Sequence, residues 1–183
     1  LDILSTQGDN NTNTISWYEN TFEFFQPQNK TELQTAVDLW ISNESSAIAT
    51  YGEINTWDTS VITDMSELFK SKTDFNGDIS SWDVSNVTNM EKMFEDAVGF
   101  NFDLSGWNVS SVVSMSGMFQ GANPLNGFII DISNWNVSNV QNMSYMFYDS
   151  VYLSNIDLLG WNVSSVTDMS YMFNSAIEAI NSD

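Results

Sequence analysis

The stretch WDVSNVTNMEKMF (residues 82–94) decides the fold, because it recurs four more times in the same register. The other copies are WDTSVITDMSELF (57–69), WNVSSVVSMSGMF (107–119), WNVSNVQNMSYMF (135–147) and WNVSSVTDMSYMF (161–173). Their tryptophans are 25, 25, 28 and 26 residues apart, a spacing typical of repeat proteins. The chain therefore predicts a stack of units, each stable only between its neighbours.

The apolar residues of the repeat predict the core. All nine methionines fall in two columns, with Leu68 completing the second, and a phenylalanine closes each phrase. Within residues 82–106 the apolar positions step by three, three, one and three, as on one face of a short helix; they are Val87, Met90, Met93, Phe94 and Ala97. Thr88 and Glu91 add the spacing of a capping box. Core packing explains the sulfur and aromatic columns better than a metal or ligand strip does.

A brief extended segment precedes each tryptophan, as in Asp78–Trp82, and copies of it would stack into a narrow parallel sheet. We therefore expect an α/β solenoid: a leucine-rich-repeat-like, right-handed stack of ~25-residue units. Each unit would hold one short helix and one short β segment. The tryptophans are expected to be buried with the indole N–H bonded to backbone, although an exposed column would stack on sugars.

Three regions are predicted along the chain. Residues 1–28 form a linker or docking segment, residues 29–56 a helical cap, and residues 57–183 about five repeats, the last incomplete. In the cap, Thr31 and Gln34 have capping-box spacing, and Gly52 ends the helical pattern. Its apolar stripe consists of Leu33, Ala36, Val37, Trp40 and Ile41, continued by Ala47, Ile48 and Tyr51. Nothing in the pattern caps the far end, which predicts either that the natural chain continues there or that self-association covers it.

Composition excludes several function classes. The chain carries 24 acidic residues against 4 basic ones, a net charge of −20. Nucleic acids and anionic membrane surfaces are therefore excluded as partners. Histidine and cysteine are both absent, which removes Ser-His and Cys-His catalysis, ordinary zinc sites and disulfides. No run is long and apolar enough for membrane insertion.

One acidic ladder is the candidate metal site. One carboxylate recurs in each unit, at Asp78, Asp103, Asp131 and Asp157. Stacked carboxylates with excess negative charge suit Ca²⁺, the one cofactor considered. The alternative is that each Asp binds N–H groups of its own turn. A second ladder of Asp58, Asp83, Asn108, Asn136 and Asn162 favours the same Asx-turn role.

Glycosylation sequons are numerous and favour an extracellular or cell-surface location. Asn10, Asn29 and Asn43 lie outside the repeats and are the better acceptors. Asn86 and Asn142 lie within them and are further candidates. Full occupancy of the Asn108, Asn136 and Asn162 rungs is sterically unfavourable, because adjacent glycans would collide.

The unit MFxxAxxFNxDLSxWDVSNVTxM resembles the repeat of BspA-like leucine-rich-repeat surface proteins over residues 57–183. The first unit departs from it at Thr59 and Lys72. The resemblance implies an extracellular adhesin or matrix-binding protein, with no catalytic residues to carry over. We expect a non-catalytic protein that binds protein or glycan partners.

Two alternatives to this function remain. One is a structural subunit of a filament, sheath or flagellar appendage built by end-to-end contacts. The other is a carboxylate glycosidase, which would need two carboxylates ~5–10 Å apart across a cleft.

Overall fold

The computed structural model describes residues 24–100, 103–122, 130–150 and 156–176. Two helices open this part of the chain, α1 (Lys30–Ser42) and α2 (Glu44–Tyr51), followed by a 3₁₀ helix over Ile54–Thr56. The repeats follow as units 1 to 5, which we number from Trp57, Trp82, Trp107, Trp135 and Trp161. Asn10, residues 1–23, the insertion around 123–127 and the tail from 177 lie outside the described residues.

Helix α1 begins at a capping pair two residues earlier than the sequence predicted. The Asn29 side chain accepts from the backbone N–H of Glu32, and the Glu32 carboxylate accepts from the N–H of Gln28 at 2.8 Å. Thr31 and Gln34 were therefore the wrong pair, because Thr31 already lies inside the first turn. Asn29 is the better N-cap, since its extended backbone leaves the side chain free to reach the third N–H beyond it.

The apolar stripe of α1 is confirmed as the buried face, with Leu33, Ala36, Val37 and Trp40 all in the core. Helix α1 lies over unit 1: the Gln34 amide donates to the Leu68 carbonyl at 3.1 Å. Gly52 ends α2 as predicted, with φ +75, a conformation that other residues adopt only at a cost.

The units stack through a ladder of backbone hydrogen bonds. Four alternate N–H groups of each unit donate to carbonyls of the next, at 2.7–2.9 Å. In unit 1 the donors are Met65, Glu67, Phe69 and Ser71, and the acceptors are Asn89, Glu91, Met93 and Glu95. The same four positions repeat at each junction through to unit 5. Every second N–H is thus satisfied by a neighbouring unit rather than by its own.

The N–H groups between these donors close tight turns within the unit. Leu68 N–H bonds to Met65 O, and Lys72 N–H bonds to Phe69 O. The residue before each of these donors, Glu67 and Ser71, has φ near +57. Positive φ at the third turn residue is the geometry of a type II turn. The chain therefore advances in overlapping turns while its alternate amides point to the next unit.

The core is a set of columns through the stack. The Phe69, Phe94, Phe119, Phe147 and Phe173 rings lie face to face, with successive centroids 5.4–5.9 Å apart. The methionines of units 1 to 4 are fully buried beside them. The tryptophans of units 1 to 4 are buried too, and each indole N–H donates to a backbone carbonyl. From unit 2 on, that carbonyl lies three residues before the preceding tryptophan, so the indoles join successive units.

The expected α/β solenoid is contradicted. Within the described residues, helices are confined to 30–56 and no strand forms. Each unit contributes one isolated parallel bridge residue, from the column Asp64, Asn89, Ser114, Asn142 and Asp168, and not from the segment before tryptophan. The predicted short helix at Val87–Ala97 is also wrong, although its apolar residues are buried. An α-helix would need each N–H to bond to the carbonyl four residues back, but alternate N–H groups of each unit already bond to the next unit.

Candidate functional site

Two surface columns carry the side chains that differ most between units. We call them the outer columns; they consist of residues 67, 92, 117, 145 and 171 and of residues 70, 95, 120, 148 and 174. All five positions of the first column have φ between +55 and +61, which turns their side chains away from the core. The hydrogen-bond ladder places equivalent residues of successive units one above the other. A change of residue along a column therefore changes the surface chemistry from one unit to the next.

The outer columns are charged on units 1 and 2. Lys70 lies 3.1 Å from Glu67 in its own unit and 3.2 Å from Glu95 of unit 2. Lys92 reaches the same Glu95 oxygen at 3.6 Å. Glu95 is buried, and the two lysines beside its carboxylate neutralise its charge. The hydrogen bond between the Glu67 and Lys70 side chains lowers the pKa of Glu67 and raises the pKa of Lys70.

A depression of about 380 Å³ interrupts the outer columns at unit 3, where Gly117 carries no side chain. Its lining consists of Lys92, Ser116, Gln120, Ser144 and Tyr145. The two serine hydroxyls hydrogen-bond each other at 2.9 Å on its floor. The lining of the depression is about equally polar and apolar, and Tyr145 is its one aromatic residue.

On units 4 and 5 the outer columns carry three tyrosines, Tyr145, Tyr148 and Tyr171. The Tyr145 and Tyr171 rings are stacked with centroids 5.1 Å apart, and Tyr148 lies 5.5 Å from Tyr145. Tyr145 is 37% exposed and Tyr171 57% exposed. Sequence analysis missed this group, which we call the tyrosine platform. The available signal was SYMF in the last two copies, where SELF, EKMF and SGMF stand in the others.

The predicted calcium ladder consists of carboxylates that are already bonded within their own units. Asp78, Asp103, Asp131 and Asp157 each accept a hydrogen bond from the backbone N–H two residues on, at 2.8–3.1 Å. Within the described ranges, no three acidic side chains lie close enough together to hold a metal ion. Calcium binding stays a prediction.

Asx turns of this kind recur at three places in the repeat. The second ladder forms them at Asp58, Asp83, Asn108, Asn136 and Asn162, as its interchange of Asp and Asn predicted. The bridge column forms a third set at Asp64, Asn89, Asn142 and Asp168, with Ser114 at the unit 3 position. The bonded serines lower the pKa of Asp58, Asp103 and Asp168. Serines in the turns of Asn108, Asn136, Asn142 and Asn162 complete four of the eight sequons of the chain, so folding explains these Asn-x-Ser sequences.

The predicted glycan acceptors are placed differently from one another. Asn29 and Asn43 are helix caps whose side-chain oxygens accept from backbone N–H groups. The Asn86 amide nitrogen donates to Ser60 O at 2.8 Å, so a glycan there would break a bond between units. Asn142 accepts from Ser144 N–H in its turn. Occupancy stays a prediction for all of them.

The comparisons identify one family. A family model described as "Mycoplasma protein of unknown function, DUF285" matches residues 41–129 and 126–183. Curated proteins and solved structures gave no match. Among the described residues, neither helix has the length and apolarity to cross a bilayer.

Proposed function

We propose that this chain, which belongs to the DUF285 family, is a non-catalytic repeat protein of the cell surface that binds a protein or glycan partner. The tyrosine platform carries this proposal. Tyr145 and Tyr171 present exposed rings at the outer surface, whereas the other aromatic columns are packed inside. Rigid aromatic side chains give contact area at low entropic cost, which is why binding surfaces are rich in tyrosine.

An extracellular location and an adhesive role rest on the resemblance to BspA-like surface repeat proteins and on the sequons. The absence of histidine and cysteine from the chain supports a non-catalytic role. The high negative charge favours partners that are neutral or positively charged.

The test is direct binding to immobilised glycoproteins, each presented with and without its glycans, and to immobilised polysaccharides. We expect a triple variant, Tyr145→Ser, Tyr148→Ser and Tyr171→Ser, to lose at least tenfold in affinity. Glu67→Ser changes the same outer column in unit 1 and serves as the matched control. The bound material is expected to be released chemically unchanged. Equal binding by the triple variant, or cleavage of the ligand, would contradict the proposal.

A second candidate function is a structural subunit that assembles end to end. Met169 is 42% exposed and Val163 40% exposed, whereas Met143 and Val137 in the same columns of unit 4 are buried. Leu159 is 96% exposed beside them. Assembly through this face predicts filaments or oligomers at high concentration that Met169→Lys abolishes. Monomers at all concentrations in analytical ultracentrifugation would eliminate this candidate.

A further inference from the structure

The depression lies at unit 3, where the repeat is kept but position 117 carries no side chain. At the equivalent position unit 2 has Lys92 and unit 4 has Tyr145, and both residues adopt the same positive φ. A Cβ placed on Gly117 would lie 3.1 Å from Lys92 Cγ and 3.3 Å from Gln120 Oε1. Both are atoms of flexible side chains, so the position accepts other residues by small shifts. The Lys92 and Gln120 side chains thus close in over the Gly117 backbone, and they line the depression together with Ser116, Ser144 and Tyr145.

The lining groups suit a ligand rich in hydroxyls. Ser116 and Ser144 provide hydroxyls on the floor, and Gln120 adds an amide with both a donor and an acceptor. Ser144 is held in place, because its hydroxyl also bonds to Asn142 Oδ1 at 2.7 Å. A protein partner would instead anchor an apolar or aromatic side chain in an apolar pocket. Four of the five lining residues are polar, which disfavours such an anchor.

The aromatic wall of the depression is one side of a stack of two tyrosine rings. Tyr145 forms its wall, and the Tyr171 ring is stacked on Tyr145 at an interplanar angle of 19°. A saccharide ring combines a C–H face, which packs on an aromatic ring, with hydroxyls at its edge. A polar floor beside an aromatic platform matches that combination.

Electrostatics select an uncharged saccharide. All four basic residues of the chain, Lys30, Lys70, Lys72 and Lys92, lie in α1 or in units 1 and 2. Lys92 borders the depression but is paired with Glu95. Lys92 is the one charged residue in the lining, so it is the net charge of −20 on the whole chain that opposes the approach of an anionic polysaccharide.

We infer that the depression over Gly117, together with Tyr145 and Tyr171, is a binding site for an uncharged oligosaccharide. This inference rests on the proposed binding function and assigns its ligand class and location. The volume of about 380 Å³ lies within the range of about 300–1,000 Å³ usual for small-ligand sites.

The test is titration of the intact chain with neutral hexasaccharides of glucose, mannose, xylose and N-acetylglucosamine, and with an anionic hexagalacturonate. Isothermal titration calorimetry measures affinity, and NMR of ring-labelled tyrosine reports the site. We expect at least one neutral hexasaccharide to bind and to shift the Tyr145 and Tyr171 signals. The hexagalacturonate is expected to bind at least tenfold more weakly.

Two variants separate the depression from the platform. Gly117→Tyr fills the depression with a residue that the same backbone position already carries in units 4 and 5, and we expect at least a tenfold loss of affinity. Tyr145→Ala is expected to cause a similar loss, whereas Tyr145→Phe keeps the ring and is expected to remain within threefold. Glu67→Ala, in the same column of unit 1, is the control for unchanged binding. Thermal unfolding of each variant confirms that it is folded.

Failure of the inference is distinguishable from failure of the proposed function. Tyrosine-dependent binding to deglycosylated protein, with no response to any neutral hexasaccharide, would overturn the saccharide site and leave the binding function standing. Saccharide binding that Gly117→Tyr and Tyr145→Ala both leave unchanged would place the ligand elsewhere and also overturn the inference. If the wild-type protein binds none of the immobilised partner classes, both the saccharide site and the proposed binding function are contradicted.

Discussion

The two methionine columns show what one residue contributes at different heights of the stack. Met115 is fully enclosed between units 2 and 4, whereas Met169, in the same column of unit 5, is 42% exposed. A thioether adapts its three rotatable bonds to the gaps between rings, so its packing depends on having a neighbour on both sides. A methionine in the same column therefore contributes more to the free energy of unfolding in unit 3 than in unit 5.

We expect Met115→Ala to lower the free energy of unfolding by about 2–5 kcal/mol, because it leaves a cavity in a closed core. Met169→Ala is expected to cost about 1 kcal/mol or less, since part of its surface already faces water. Urea denaturation measures both. Equal losses would show that unit 5 is covered as fully as unit 3.

The positive-φ positions make a second prediction for single residues. Glu67 has φ 58, a conformation that costs a non-glycine residue roughly 1–2 kcal/mol. Glu67→Gly is therefore expected to be more stable than Glu67→Ala by about 1 kcal/mol. Both variants remove the ion pair with Lys70, so their difference isolates the backbone. The prediction is wrong if alanine proves as stable as glycine in chemical denaturation.

Among the structural elements, the Asx turn explains the composition of the repeat. An Asp or Asn oxygen accepts the N–H two residues on, and serine or another small polar residue usually occupies that position. Each turn satisfies a backbone donor that neither the ladder nor a helix reaches. The unit is thus built from turns that local sequence specifies, and the ladder then joins them.

The Asx turns predict a loss of stability in acid. The Ser105 hydroxyl and N–H hold the pKa of Asp103 below its usual value, and Ser60 and Ser170 do the same for Asp58 and Asp168. Because these pKa values are lower in the folded state, their stabilisation is complete at neutral pH. It is lost as the pH falls through the folded-state values, below 3.8.

The measurement compares the wild type with a triple variant, Asp58→Asn, Asp103→Asn and Asp168→Asn, in urea unfolding from pH 6 to pH 2. Asparagine keeps the turn but does not titrate, as Asn108 and Asn136 show in units 3 and 4. We expect the wild type to lose stability relative to the variant as the pH falls. Ser105→Ala removes one of the groups that lower the Asp103 pKa and is expected to reduce the effect. A pH-independent difference would contradict the prediction.

The buried Glu95 is the element that joins units 1 and 2 electrostatically. Its carboxylate is neutralised by Lys70 and Lys92, and the matching position of unit 3 is Gln120. We expect Lys70→Met with Lys92→Met to destabilise the chain by roughly 1–3 kcal/mol, because a buried charge is left unpaired. Adding Glu95→Gln is expected to restore most of the loss in thermal unfolding. No rescue would show that the lysine stems, not their charges, stabilise this junction.

At the scale of the whole molecule, local stability varies from unit to unit along the axis of the stack. Helices α1 and α2 cover unit 1 with aromatic contacts, since Trp40 and Tyr51 each lie edge-on to Trp57 with ring centroids 6.0 Å apart. Units 2 to 4 have neighbours on both sides. In a stack, stability is a sum of unit terms and nearest-neighbour terms, so local unfolding begins where a neighbour term is smallest.

Hydrogen exchange is expected to follow that order. The N–H groups of Phe94 and Phe119 donate to the next unit and should be among the slowest to exchange. Tyr171 and Phe173 occupy the same positions in unit 5, where no such bond is seen within the described residues, and should exchange much faster. Exchange followed by NMR under native conditions measures both groups. Uniform protection from unit 2 to unit 5 would mean that the stack unfolds as one cooperative body.

The sequence by itself determined the repeat, its register, the buried columns and the apolar face of α1, because burial depends on local apolar spacing. It also determined the Asx turns, since a short polar side chain bonds to its own backbone. The Asn29 cap was misplaced by two residues because two pairs of polar residues had the same spacing.

Only the tertiary structure decided what the backbone does within a unit. Helical and stacked-turn conformations bury the same apolar positions, and they differ in whether an N–H bonds four residues back or across to the next unit. That choice depends on a neighbour about 25 residues away. For the same reason the tyrosine platform and the depression over Gly117 emerged only when the units were stacked, since each combines single residues from successive repeats.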